Sequence, residues 1–220
     1  MRNVFGIALA LWMAAAFLPG AAQAQQAYNY GTNETNLWSV NGRGGVAFPT
    51  GHFADFQDIG ANVGLDIGYQ VTPYLQLRAD GALQMLGGAT RLVGAGRYPD
   101  LDIWSYMGTA SLRVTNETTF PWSASINAGA GASTFHFASS AKEDEALGDL
   151  RNNRTYFTLR GGAEVRYVVS RQIELFTRGD VYWMNTRKKD FASLTRADGS
   201  ELIGNSTVSI PVSAGLWFRL

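Results

Sequence analysis

Residues 206–220 read STVSIPVSAGLWFRL, and every second residue of this stretch is apolar. A period of two residues is typical of a β-strand whose two faces meet different surroundings. The apolar face holds Val208, Ile210, Val212, Ala214, Leu216, Phe218 and Leu220. The opposite, mostly small or polar face holds Thr207, Ser209, Pro211, Ser213, Gly215, Trp217 and Arg219. The stretch therefore predicts a strand with one apolar side and one polar side.

The same alternation recurs in seven earlier segments of the chain, which predicts eight strands in all. These segments cover residues 38–48, 62–70, 75–85, 104–114, 122–131, 157–167 and 173–183. Long and short connections alternate strictly between them, as in transmembrane barrels that have short periplasmic turns and longer outer loops. The sequence therefore predicts an all-β fold, an eight-stranded antiparallel up-and-down transmembrane β-barrel.

The N-terminal residues have the composition of a secretory signal peptide. Arg2 precedes an apolar run over residues 4–18, and residues 22–24 read AQA, a small-x-small cleavage site. We therefore expect Sec-type export and an integral location in a bacterial outer membrane. The predicted division of the chain is a signal peptide at residues 1–24, a periplasmic N-terminal tail at residues 25–36 and a barrel at residues 37–220.

The overall composition argues against a nucleic-acid partner and excludes disulfide bonds. The chain has 18 basic and 18 acidic residues, so it offers no charge excess that would favour a nucleic acid. It contains no cysteine, so an exported domain of this length must be held together without disulfides. A closed sheet is one way to meet that requirement.

The charged residues decide which face of the strands meets lipid. A charge on the lipid face near the middle of the membrane costs roughly 2–4 kcal/mol, and the apolar rows carry none. A soluble lipocalin-like barrel has the opposite arrangement, apolar inside and polar outside. The residues predicted to form a charge network in the lumen are Arg43, Asp66, Arg78, Asp80, Arg113, Arg160, Glu164, Arg166, Glu174, Arg178 and Asp180.

Pairing across the short turns predicts which of these charges face one another. A first turn centred on Thr72 sets Asp66 opposite Arg78. A third turn centred on Ser170 has two alternatives, which the sequence leaves open. Without a shift it sets Arg166 opposite Glu174 and Arg160 opposite Asp180, whereas a shift by one residue sets Glu164 opposite Arg178.

Aromatic residues concentrate at the ends of the predicted strands, on the apolar face. Tryptophan and tyrosine prefer the two membrane–water interfaces, so this placement predicts an aromatic girdle at each end of the barrel. The girdle residues are Trp38, Tyr69, Trp104, Trp122, Tyr167 and Trp183.

Two motifs resemble those of a known family. Ser213, Gly215, Phe218 and Leu220 resemble the C-terminal insertion signal of outer-membrane barrels, although that signal usually ends in Phe or Trp. Residues 42–53 read GRGGVAFPTGHF and resemble the opening of opacity-type porin barrel domains. The chain thus resembles the small eight-stranded outer-membrane barrels of the OmpA, OmpX and opacity-porin kind.

The resemblance implies a structural or surface-interaction, adhesin-like role carried by extracellular loops, with no catalytic activity and no cofactor. It also implies particular partners: outer-membrane lipid and lipopolysaccharide, the barrel-assembly machinery during insertion, and an extracellular ligand or host surface. The oligomeric state is left open. One alternative is a narrow porin-like channel for small solutes or hydrophobic compounds, as in OmpW-type relatives.

A further alternative is a barrel enzyme that modifies lipid A, for which the two histidines are the candidates. His52 lies near Asp55 and Asp58, and His136 precedes two serines at residues 139–140. Neither matches the histidine motifs of the lipid A deacylases or palmitoyl-transferring barrels, and no cluster has metal-ligand spacing. We therefore expect no catalytic, cofactor-binding or metal-binding residue.

Overall fold

A computed structural model describes residues 37–89, 98–114, 121–137, 153–170, 172–187 and 205–220. Its strands are β1 (Trp38–Thr50), β2 (Gly60–Gln70), β3 (Leu75–Leu86), β4 (Leu101–Arg113), β5 (Trp122–Phe137), β6 (Arg154–Val168), β7 (Ile173–Met184) and β8 (Thr207–Arg219). Each strand pairs antiparallel with the next, and β8 pairs with β1 to close the sheet. The predicted eight-stranded up-and-down barrel is confirmed.

The predicted signal peptide and N-terminal tail lie outside the described residues and stay predictions. We call the end of the barrel with the β2–β3, β4–β5 and β6–β7 turns the short-turn end, and the opposite end the long-loop end. No helix among the described ranges is long and apolar enough to cross a membrane.

The alternation of the sequence is an alternation of exposure in the structure. Leu65 is 67% exposed on the outer surface, whereas its neighbour Asp66 is 1% exposed and points into the lumen. The pleat of a strand turns successive side chains to opposite faces, so each strand contributes one apolar row outward and one polar row inward. The barrel therefore has an apolar exterior and a polar interior.

Closure of the barrel requires a close approach of backbones between β1 and β8. Gly215 pairs with Arg43 at this seam. A Cβ atom at position 215 would lie 2.1 Å from the carbonyl oxygen of Gly42 and 2.9 Å from the Cα of Arg43, closer than nonbonded atoms can pack. Only glycine fits here, which accounts for one residue of the predicted insertion signal by packing alone.

The register at the first short turn differs from the prediction. Asp66 lies opposite Asp80, and Arg78 lies opposite Gly68, so the turn is centred on residue 73 and the predicted Asp66–Arg78 pairing is wrong. The reason is local, because the Thr72 hydroxyl accepts the backbone N–H of Leu75 at 2.9 Å. This side-chain bond starts the turn at Thr72 and moves its centre by one residue.

The third short turn uses the same device, and the structure selects between the two alternatives left open. The Ser170 hydroxyl accepts the backbone N–H of Ile173 at 3.1 Å. Glu164 then lies opposite Arg178, which is the shifted register.

An apolar cluster fills the lumen at the long-loop end. A 3-10 turn at Gly51–Asp55, entered through Gly51 with φ 58°, brings Phe53 and then Phe56 into the barrel mouth. Phe53 stacks on Phe135 with ring centroids 6.3 Å apart. We call this cluster the apolar plug; it consists of Ala47, Phe53, Phe56, Leu86, Leu101, Ile103, Phe135, Phe137, Tyr156 and Met184.

Candidate functional site: the barrel interior

The middle of the lumen holds a ring of carboxylates interleaved with guanidinium groups. Asp80 accepts a hydrogen bond from Arg43 at 2.9 Å and contacts Arg178 at 3.4 Å. Asp66 is bonded to Arg43, to Arg178 at 3.0 Å and to the amide of Asn41 at 2.8 Å. The pair Arg43–Asp66 joins the neighbouring strands β1 and β2. The pairs of Arg178 on β7 with Asp66 on β2 and Asp80 on β3 cross the lumen between strands that are not neighbours in the sheet.

A second group of charges lies nearer the short-turn end and is centred on Glu164. This carboxylate is 1% exposed and accepts hydrogen bonds from Arg78 at 3.0 Å and from Arg166. The guanidinium groups of Arg78 and Arg166 also lie 4.8 and 4.3 Å from the ring centroid of Trp217. Trp217 is 1% exposed, and the guanidinium groups of both arginines pack against its ring.

The interior charges balance. In the part of the chain that the structure describes, five buried arginines face five buried carboxylates. We call these ten residues the charged cluster: Arg43, Arg78, Arg160, Arg166, Arg178, Asp66, Asp80, Glu164, Glu174 and Asp180. Each charge of the cluster has at least one opposite charge within 4 Å. Such pairing offsets the several kcal/mol that burial of each ion costs.

Two ion pairs expected for the unshifted third turn also form, but diagonally. Arg160 contacts Asp180 at 3.1 Å, and Arg166 contacts Glu174 at 3.7 Å, although neither pair is directly opposite in the ladder. Of the eleven residues predicted for the lumen network, Arg113 alone falls outside the charged cluster. It is the last residue of β4 and is half-buried.

The polarity of the interior falls towards the long-loop end. The inward residues of β3 show the gradient, and in order from the short-turn end they are Gln76, Arg78, Asp80, Ala82, Gln84 and Leu86. Ser209 donates to Gln84 at 2.6 Å, so a neutral polar layer lies between the charged cluster and the apolar plug. An ion moving along the lumen would have to pass from the charged cluster into the apolar plug.

The part of the lumen wall formed by β4 and β5 carries polar side chains whose hydrogen-bonding capacity is not fully used. Thr109, Ser125 and Asn127 each have a buried side-chain polar atom with no hydrogen-bond partner among the described residues. All three project inward from β4 and β5. Water in the lumen would find hydrogen-bonding groups here, as it would at the unpartnered side-chain atoms of Asn41 and Gln84.

The two histidines lie apart from the lumen. His52 is exposed in the 3-10 turn, 3.5 Å from the carboxylate of Asp55. His136 is exposed on the outer face at the end of β5 and is bonded to Asn153 at 2.8 Å. The serines that follow His136 lie outside the described residues. Among the residues that the structure describes, no three His, Cys, Asp or Glu side chains form a group that could hold a metal ion.

The six predicted girdle residues lie on the outer surface. Trp38 packs against Tyr69 and Trp122 against Tyr167, with ring centroids 4.9 and 4.6 Å apart, both at the short-turn end. Trp104 and Trp183 lie in the long-loop half and are 45% and 37% exposed.

Besides Gly215 at the seam, the predicted insertion signal contains three residues. Ser213 and Phe218 lie within β8, and Leu220 directly follows it. Ser213 points inward and is 4% exposed, whereas Phe218 and Leu220 point outward and are 41% and 65% exposed.

Several solved structures resemble this barrel in their fold. Neisserial surface protein A superimposes with a TM-score of 0.56 at 13% sequence identity, over 83% of this chain and 97% of that protein. The chain has the fold of the small eight-stranded outer-membrane β-barrels. The N-terminal barrel domain of OprF from Pseudomonas aeruginosa aligns over 83% of the chain and 98% of its own length, at 11% identity and a TM-score of 0.47.

OprG, also from Pseudomonas aeruginosa, aligns over 84% of this chain and 97% of its own length, with 12% identity and a TM-score of 0.44. No protein-family model matches the chain, and no curated protein matches it in sequence. At these identities the likeness concerns the fold of the barrel alone.

Proposed function

We propose that the protein is an integral outer-membrane barrel with a closed interior, whose extracellular loops carry a structural or surface-interaction, adhesin-like role. The observation that supports this most directly is the filled lumen. The charged cluster occupies its middle, and the apolar plug occupies the long-loop end. A barrel of about eight strands is only wide enough for its own side chains, so little room is left for transport.

The membrane location is supported by the outer surface of the barrel. Leu65, Ile126 and Phe157 are 67%, 52% and 52% exposed, and they belong to a continuous apolar band between the aromatic girdles. Soluble proteins rarely expose apolar patches larger than a few hundred Å². A lipid bilayer is the solvent that such a surface requires.

We expect the purified protein to produce no conductance steps in planar lipid bilayers, because ions would have to break the buried pairs and cross an apolar plug. An open porin reconstituted in the same way is the positive control. Reproducible single-channel steps from the purified barrel would contradict the closed interior.

Such steps would favour the second candidate, a narrow channel for small solutes. The unpartnered polar atoms of Thr109, Ser125 and Asn127 are the specific observation on its side, because they line one wall with groups that water can solvate. The channel would then run along β4 and β5, and it would need movement of Phe53 and Phe56 to open.

The adhesive role is tested by replacing a loop while keeping the barrel. The connection between β5 and β6 spans residues 138–153, and its sequence includes the charged run at residues 142–145. We expect replacement of residues 141–150 by a short Gly-Ser turn to reduce adherence of expressing cells to epithelial monolayers to the level of cells without the protein.

The control for the loop replacement is the folded barrel itself, detected by its heat-modifiable migration in gels. A variant that is folded and adheres as well as the unaltered protein would remove this loop from the proposed role. Equal adherence of cells with and without the unaltered protein would contradict an adhesive function altogether.

A further inference from the structure

An open cleft lies on the outer face of the barrel, at the long-loop end, where β4, β5 and the start of β6 meet. It has a volume of about 340 Å³ and is lined by Trp104, Tyr106, Thr134, His136 and Asn153. The volume is at the low end of the range found for small-molecule sites. The cleft is separate from the lumen, because all of its residues project outward.

The polar side of the cleft is held in place by hydrogen bonds. His136 Nδ1 lies 2.8 Å from the side-chain oxygen of Asn153. An amide oxygen can only accept, so Nδ1 donates this hydrogen bond. Asn153 has a positive φ of 61°, and its backbone N–H donates to the carbonyl of Phe135 at 3.1 Å. The imidazole and the amide are thus preorganised.

Hydroxyl groups continue the polar side along the neighbouring strand pair. The hydroxyls of Thr134 and Thr155 are 2.9 Å apart and exposed. Trp104 lies opposite Thr134 in the ladder, and Tyr106 follows on the same face of β4. The cleft therefore combines two exposed aromatic rings, 45% and 60% exposed, with a row of neutral hydrogen-bonding groups.

The height of the cleft relative to the membrane follows from the length of β5. A strand rises about 3.4 Å per residue and tilts by about 40°, so it climbs about 2.6 Å per residue along the membrane normal. Measured from Trp122 in the girdle at the short-turn end, Thr134 is then about 31 Å and His136 about 36 Å higher. The apolar band of such barrels is about 25 Å tall, which puts the cleft at the height of the lipid headgroups.

The chemistry of the cleft selects among headgroups. None of its five lining residues is lysine or arginine, which a phosphate group would favour. Asp102, opposite His136 in the ladder, adds a carboxylate to this side. Exposed aromatic faces attract the C–H groups of a sugar ring, and imidazole, amide and hydroxyl groups bind its hydroxyls.

We propose that the cleft binds the saccharide headgroup of an outer-leaflet glycolipid. Trp104 and Tyr106 pack against a sugar ring, and Thr134, His136 and Asn153 bond to its hydroxyls. The acyl chains of the same lipid then lie along the apolar exterior below. This assignment rests on the outer-membrane location proposed above.

The test uses the full-length protein in detergent micelles, titrated with lipid A and analysed by native mass spectrometry. We expect one lipid A molecule to be retained. Trp104→Leu and His136→Ala should each weaken retention by about fivefold or more, the effect of losing one ring contact or hydrogen bond. The matched control is Trp183→Leu, an outward tryptophan of the same half of the barrel outside the cleft, which should change retention less than about twofold.

Further probes define the headgroup. Diphosphoryl and monophosphoryl lipid A should bind alike, and phosphatidylethanolamine should bind more weakly. A large loss on removing one phosphate, equal retention of phosphatidylethanolamine, or an equal effect of Trp183→Leu would overturn the proposal. A changed mass of the recovered lipid A would overturn a purely binding role.

Membrane fractionation of the same variants separates this proposal from the function on which it rests. An unaltered protein that is found in the outer membrane but retains no lipid A overturns the cleft alone. A protein that is absent from that membrane overturns the proposed location.

Discussion

Replacing Arg178 with methionine is expected to lower the free energy of unfolding of the barrel by roughly 3–5 kcal/mol, the cost of breaking a buried ion pair. Arg178 is 1% exposed and contacts Asp66 at 3.0 Å, Asp180 at 3.2 Å and Glu164 at 3.4 Å. Without it, these buried carboxylates lose a cation that they share. The measurement is reversible urea unfolding in lipid vesicles, followed by tryptophan fluorescence.

The matched control is Arg187→Met, because Arg187 is exposed three residues after the end of the same strand. Its replacement should change the free energy of unfolding by less than about 1 kcal/mol. The double variant Arg178→Met, Asp66→Asn should regain part of the loss, since it restores the balance of charge. Equal effects of the Arg178 and Arg187 replacements would show that the charged cluster does not stabilise the fold.

Replacing Leu65 with arginine is expected to cost roughly 2–4 kcal/mol, because it puts a charge on the lipid face near mid-height. Leu65 is 67% exposed and lies four residues above Tyr69 of the girdle, about 10 Å along the membrane normal. Its side chain has no route to the lumen. We expect less of this variant in the outer-membrane fraction of cells and a lower urea midpoint of the refolded protein.

Tyr74→Arg is the control for the depth of the substituted position in the membrane. Tyr74 is 53% exposed in the first short turn, at the water interface. Arginine there should cost about 0–1 kcal/mol. If arginine were equally harmless at both positions, the assignment of the outer face to lipid would be wrong.

Alternation was sufficient to predict the number of strands and the facing of their side chains, because a one-residue slip would expose a whole charged row to lipid. It could not predict the apolar plug. At the long-loop end, inward residues such as Leu86, Ile103 and Phe135 are apolar as well, so the two faces no longer differ in composition. The plug is recognisable only when the 3-10 turn brings Phe53 and Phe56 to meet them.

The ion pairs within the charged cluster also could not be predicted from the sequence. Pairing across turns considers only neighbouring strands, whereas Arg78 on β3 reaches Glu164 on β6 across the lumen. The register itself depended on single hydroxyls, those of Thr72 and Ser170, each worth about 1 kcal/mol. The cleft was not predicted because it needs Trp104, Thr134 and Asn153 to meet, and their proximity depends on the registers that join β4, β5 and β6.

The seam between β1 and β8 makes insertion an all-or-none event. Twelve residue pairs join these strands, although the strands lie at opposite ends of the barrel sequence. Until β8 arrives, β1 and β7 are both open edges whose unpaired backbone groups would cost several kcal/mol each in lipid. A partly formed sheet is therefore not a stable membrane species, and we expect the barrel to become stable in lipid only when its first strand pairs with its last.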